Sequence, residues 1–115
     1  MLPRRAVLAL PALAALPAMA QGAWPERPVR VIVPYPPGGS TDVLTRIIGE
    51  ALKGPFPGAT FVIENRAGAG GNIGADTAAK AGPDGYTFVS APVGIFAINQ
   101  YLYSRMSYDA QKDLL

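Results

Sequence analysis

Two glycine-rich stretches offer the chemistry in this sequence. Pro36-Pro37-Gly38-Gly39-Ser40-Thr41-Asp42 and Gly68-Ala69-Gly70-Gly71-Asn72-Ile73-Gly74 each stand between a β-branched apolar run and a helical pattern. Glycine lets a ligand approach the main chain closely and tolerates positive φ. A helix that follows such a loop presents unpaired N–H groups and the positive end of its dipole. The dipole favours an anion by about 0.3–1 kcal/mol at an exposed site, and each N–H bond to a charged group adds about 1.5–3 kcal/mol. Two such ends facing one cleft hold a carboxylate without any arginine. Either loop alone reads equally as a tight strand-to-helix turn. Two after consecutive strands shift the reading towards a site.

Other chemistries find little support. The chain has no cysteine and no histidine, which removes disulfides, thiolate nucleophiles, zinc sites of the usual kind and any histidine base. Gly68-x-Gly70 followed by Gly74 is a near miss to a dinucleotide fingerprint. It follows the second strand rather than the first, and the third strand ends in Ser90-Ala91 without the acid that would meet a ribose. No G-x-x-x-x-G-K-[ST] loop occurs. Ser40 lies in Gly39-Ser40-Thr41, not in a nucleophile elbow, and nothing is present to activate it. These absences argue against an enzyme. Asp42 is read as a supporting residue that stabilises a helix start and fixes the first loop. Arg46 is assigned to the solvated face, Arg66 either lends positive charge to the second loop or lies on the surface, and Asn72 is assigned to a helix cap. Tyr101, Tyr103 and Tyr108 are assigned to packing.

The elements that must position these loops follow from local pattern. Val29-Arg30-Val31-Ile32-Val33 predicts a buried strand, introduced by the stiff Trp24-Pro25-Glu26-Arg27-Pro28. From Asp42 to Lys53, Val43, Leu44, Ile47, Ile48, Ala51 and Leu52 recur at helical spacing, with Ser40 or Thr41 as cap and Gly54-Pro55 as stop. Thr60–Glu64 predicts a second strand and Ile73–Ala81 a second helix capped by Asn72. Gly82-Pro83 ends that helix, and Tyr86–Ser90 predicts a third strand. After Ala91-Pro92-Val93-Gly94, a further helical stretch runs from Ile95 towards Tyr103, and Tyr108–Leu115 has no clear pattern. Strand, loop and helix repeating in this order predict an α/β fold with a parallel sheet flanked by helices.

The whole chain has 115 residues, 50% hydrophobic and 16% charged, which is room for one domain at most. The net charge of +2 is scattered, so nucleic-acid binding is not indicated. At the N-terminus, Arg4-Arg5, the apolar stretch Ala6–Leu16 and Ala18-Met19-Ala20 are the three parts of a signal peptide covering residues 1–20. The apolar stretch is too short to span a bilayer and contains Pro11, so no stable membrane insertion is expected once the leader is cut. The paired arginines leave both general secretion and the twin-arginine route open. Residues 21–115 are then an exported, periplasmic product.

The ordered set of segments resembles the Bug family, the substrate-binding proteins of tripartite tricarboxylate transporters. It runs through Trp24–Arg30, Pro34-Tyr35-Pro36-Pro37-Gly38-Gly39-Ser40-Thr41-Asp42, the stretch Val62–Gly74, Pro83-Asp84-Gly85-Tyr86-Thr87, then Tyr108-Asp109 and Lys112-Asp113. Ala110 departs from the proline commonly found there. The resemblance implies a periplasmic-binding-protein-like, two-lobed Venus flytrap holding a small organic carboxylate and delivering it to membrane subunits of the transporter. By position it implies Gly38, Gly39, Ser40 and Thr41 as one wall of the site. Gly70, Gly71 and Asn72 form another, and Pro92, Val93 and Gly94 complete the side of the first lobe. Residues 21–115 correspond to an incomplete first lobe, so the chain as written is expected to bind weakly or not at all and to expose an unpaired sheet edge. The competing reading is a small secreted α/β protein-interaction module, followed by a nucleotide-binding enzyme.

Overall fold

A computed structural model describes residues 22–114. The expected signal peptide, its cleavage site after Ala20, and Leu115 lie outside the described residues.

Val29–Val33 forms β1, Phe61–Asn65 forms β2 and Thr87–Val89 forms β3. The three make one parallel sheet in the order β2-β1-β3. The register pairs Val33 with Asn65 and Ile32 with Val89, so all three strands end at the same edge of the sheet. Helix α1 spans Ser40–Leu52 and α2 spans Asn72–Lys80. A single 3-10 turn, Ala69–Gly71, leads into α2. Beyond β3, a π-helical turn at Gly94–Ile98 runs into the short helix α3, Asn99–Leu102, and Ala110–Asp113 forms α4.

The chain steps from β1 to β2 on one side, then crosses back over β1 to reach β3. Right-handed crossovers in opposite directions put α1 and α2 on opposite faces of the sheet. The reversal at β1 creates a switch point, where the loops after β1 and β3 diverge beyond the strand ends. This is where the first glycine loop emerges.

Val29, Ile32 and Val33 are fully buried in the central strand. On the α2 side a second cluster gathers Ala75, Ile95, Tyr108 and Ala110, flanked by Phe96 and Met106. The α1 side is less complete. The helix seats on the sheet through Asp42, Thr45 and Gly49, while Leu44 and Ile47 remain 58% and 61% exposed. Period alone locates an apolar stripe and does not say what covers it. Beside α1 lies an apolar cavity of about 360 Å³, lined by Trp24, Val31, Ile48, Phe56 and Phe88 among others. Its lining is mostly apolar side chains, with Thr45 and Ser90 the hydroxyl residues among them.

Candidate functional site

The first loop is held from inside the helix that follows it. β1 runs out at the buried Pro34, and the turn passes through Gly38 at φ +88°, a conformation that residues other than glycine rarely adopt. Gly39 takes the N-cap position in extended geometry without any side-chain cap. This corrects the expectation that Ser40 or Thr41 caps the helix. The Asp42 carboxylate reaches back to accept the Gly38 N–H at 3.0 Å, so the turn is secured without a hydroxyl and the helix starts at Ser40. The first intrahelical bond is Val43 N–H to Gly39 O at 2.9 Å. It leaves the Ser40, Thr41 and Asp42 amides without intrahelical acceptors.

Asp42 is only 3% exposed. Its Oδ2 also accepts from Arg46 Nε at 3.0 Å, and its Oδ1 accepts from Asn65 Nδ2 at 3.0 Å. The Arg46 hydrogen bond above all, then those from the Gly38 amide and Asn65, hold its carboxyl down at about 2. Arg46 is exposed, as expected, and its guanidinium is also tied into the scaffold under the loop. It also reaches Asn65 Oδ1, at 3.3 Å.

The second loop is a tighter object. Gly70 and Gly71 have φ of 65° and 94°. A Cβ on Gly71 would lie 2.7 Å from Ile95 Cδ1 and 3.0 Å from the Tyr35 hydroxyl. The Gly71 N–H donates to Gly68 O at 3.0 Å, and the Asn72 N–H to Ala69 O. Asn72 is the first helical residue and not the cap, a position that falls to Gly71. Its side chain turns inward, where Oδ1 accepts from Asn99 Nδ2 at 2.7 Å and from the Tyr108 hydroxyl at 3.0 Å. Ile73 and Gly74 supply the remaining first-turn amides. Gly74 sits so close to the end of β1 that a Cβ there would be 2.7 Å from Pro34 Cα.

The third stretch is looser. Pro92 and Val93 are exposed, and the Ile95 N–H donates to Pro92 O at 3.1 Å. The stretch is joined to the second loop through Ile95, buried against Gly71, and through Asn99 Nδ2, 3.5 Å from Gly70 O. On the other flank Ser90 Oγ, at the end of β3, lies 2.6 Å from Thr45 Oγ1 on α1. All three stretches singled out in the sequence thus emerge at one edge of the sheet.

Sequence reasoning found Asp42 but missed the other residues that hold the loops. Asn99 stands outside the family-like segments, Tyr35 and Asn65 lie within them with no role assigned, and Tyr108 reads only as packing. The burial of Tyr108 and the desolvation that raises its pKa agree with that packing role, and its hydroxyl adds the link to Asn72. Arg66 is paired with Glu64, Nε to Oε1 at 2.7 Å, and Arg30 pairs with the same carboxylate from β1. Hydrogen bonds from Arg30 first, and then from Arg66, lower the Glu64 pKa.

The family described as tripartite tricarboxylate transporter family receptor matches residues 44–115. Protein BugT of Bordetella pertussis is 44% identical over 96 residues, which is 80% of this chain and 28% of that protein. Among solved structures, Rhodopseudomonas palustris Rpa4515 with adipate superimposes at a TM-score of 0.71 with 45% identity over 76% of this chain and 29% of that one. MatC from Rhodopseudomonas palustris with bound malate gives a TM-score of 0.72 at 36% identity, covering 77% of this chain and 30% of the other. The chain thus spans under a third of the length of these relatives. With a family match over more than half of its residues, the chain belongs to the tripartite tricarboxylate transporter receptors.

Proposed function

We propose that this chain forms one wall of an exported solute receptor that binds a small di- or tricarboxylate, without catalysis and without a cofactor. The observation that carries this reading is the convergence of two glycine-loop helix starts at adjacent ends of a parallel sheet. Both present main-chain donors, and neither places a nucleophile or a free base beside them. Relatives solved with adipate and with malate point to the same ligand class.

In this reading Gly39, Ser40 and Thr41 contribute amides, Gly38 shapes the turn, and Asp42 supports it. Gly70, Gly71 and Asn72 form the opposing wall, where Asn72 serves chiefly through its inward ties. Pro92, Val93 and Gly94 border the site after β3. A second lobe closes over the ligand in the complete receptor, and membrane subunits of the transporter receive it. The leader expected at residues 1–20 delivers the protein to the periplasm.

The test is a thermal-shift screen of adipate and malate against diols of matched length and a dinucleotide. Stabilisation by the acids alone supports the proposal. Equal stabilisation by the diols, or stabilisation by the dinucleotide, contradicts it.

A further inference from the structure

Asn65 is the last residue of β2 and stands one step before the second loop. The strand ladder continues just past it, with the Arg66 N–H donating to Val33 O at 2.8 Å, so its backbone is fixed by the sheet. From that fixed point its side-chain amide donates twice, to Tyr35 O and to Asp42 Oδ1, each at 3.0 Å. Asp42 in turn holds the Gly38 N–H. The first loop is therefore fastened to the base of the second at both shoulders, Tyr35 and Gly38, and at the first turn of α1.

We propose that Asn65 is a positioning residue for the carboxylate site, clasping the first loop to the end of β2 and so setting the spacing between the two groups of main-chain donors. The role rests on the reading of those loops as a carboxylate site. Only a side-chain amide fits the task. Two donors must meet a carbonyl and a carboxylate while one acceptor faces Arg46, an inventory that aspartate, leucine and serine lack. A carboxylate gripped from two sides is sensitive to that spacing, since binding groups must be held within about 0.5 Å of their productive places. The Gly38 amide is consumed by the clasp, which assigns the ligand-facing donors of this loop to Gly39, Ser40 and Thr41.

The experiment uses the full ¹⁵N-labelled chain, with Asn65→Leu as the variant and Arg30→Ala as a structural control. The control removes the Arg30–Glu64 pair next to Asn65 while leaving the clasp intact. In the parent chain, malate in large excess is expected to shift amides of both loops, weakly as befits a single wall but with one shared dissociation constant. Asn65→Leu is expected to weaken that response about tenfold and to split it into two unequal constants. Gly38 amide exchange should quicken in the variant, and sheet amides should stay in place. Arg30→Ala should keep the single constant. If Asn65→Leu does not fold, Asn65→Ser carries the same expectations.

A shared, unweakened response in the variant overturns the proposal, as does an equal loss in Arg30→Ala. Silence of both loops to malate in the parent overturns the carboxylate reading, and the positioning role with it. Gly38 exchange then still reports whether the clasp itself orders the loop: quickened exchange in the variant upholds the clasp, and unchanged exchange removes it.

Discussion

The Tyr108 hydroxyl and Asn72 Oδ1 lie 3.0 Å apart, joining the stretch before α4 to the first residue of α2 across a separation of 36 residues. With Asn99 donating to the same oxygen at 2.7 Å, this acceptor ties the second loop to the C-terminal part of the described chain. Tyr108 is buried, so deleting its hydroxyl removes a hydrogen bond without opening a large cavity. Tyr108→Phe is expected to cost about 1 kcal/mol in urea denaturation, in line with the net worth of such a bond. A cost indistinguishable from zero would mean that the link is not maintained in solution.

Gly71 should not tolerate a side chain. Its φ of 94° and the 2.7 Å separation between Ile95 Cδ1 and the place a methyl group would occupy act together. Backbone strain of this kind costs about 1–3 kcal/mol. Gly71→Ala should therefore lower stability by at least that order, whereas Gly82→Ala, with open space and no positive φ, should change little. The comparison is read from paired thermal melts.

Acid should loosen the first loop. The folded pKa of Asp42, at about 2, lies below its ordinary value of 3.8. The stability it confers is thus complete above about pH 4 and is lost as pH falls towards 2. Asp42→Asn should flatten this part of the stability–pH curve while lowering stability at neutral pH, because an amide cannot accept from Arg46, Gly38 and Asn65 in the same way. Stability measured between about pH 5 and pH 2 in roughly half-unit steps checks the sign; an unchanged slope in the variant would contradict it.

On α1, Leu44 and Ile47 are more than half exposed. Substituting either by lysine should shift the stability of this chain by less than about 0.5 kcal/mol, the range usual for surface changes away from special contacts. It should also reduce self-association by removing exposed apolar area. A loss of several kcal/mol would show that the apolar stripe is covered in solution.

How much of the molecule is legible in the sequence varies with the range of the interaction. The three strands read correctly to within a residue or two, because β-branched runs bounded by glycine and proline carry their own signal. Both loops are visible for the same reason. The helix starts are not, since Ser40 and Asn72 resemble caps locally. Asp42 reads correctly as the residue that fixes the first loop, through partners four residues away on either side, whereas Tyr108 meets Asn72 through a contact that no short window contains. The apolar stripe of α1 is visible, but its exposure is not. Asn65 looks like any strand-end asparagine until the sheet places it beside Tyr35 and Asp42. The π-helical turn at Gly94–Ile98 reads only as helical, and α4 leaves no pattern at all. A four-residue helix has too little period to see, although Asp109 capping Gln111 and Lys112 explains it afterwards.

Amide mapping with malate tests whether the two loops act on one carboxylate. Titration of the ¹⁵N-labelled chain should shift Gly39–Thr41 and Gly71–Ile73 together, with one dissociation constant, and leave the residues around the apolar cavity unmoved. Shifts confined to one loop, shifts around Trp24 and Phe88 instead, or an identical response to a neutral diol would rule out joint binding of one carboxylate by the two loops.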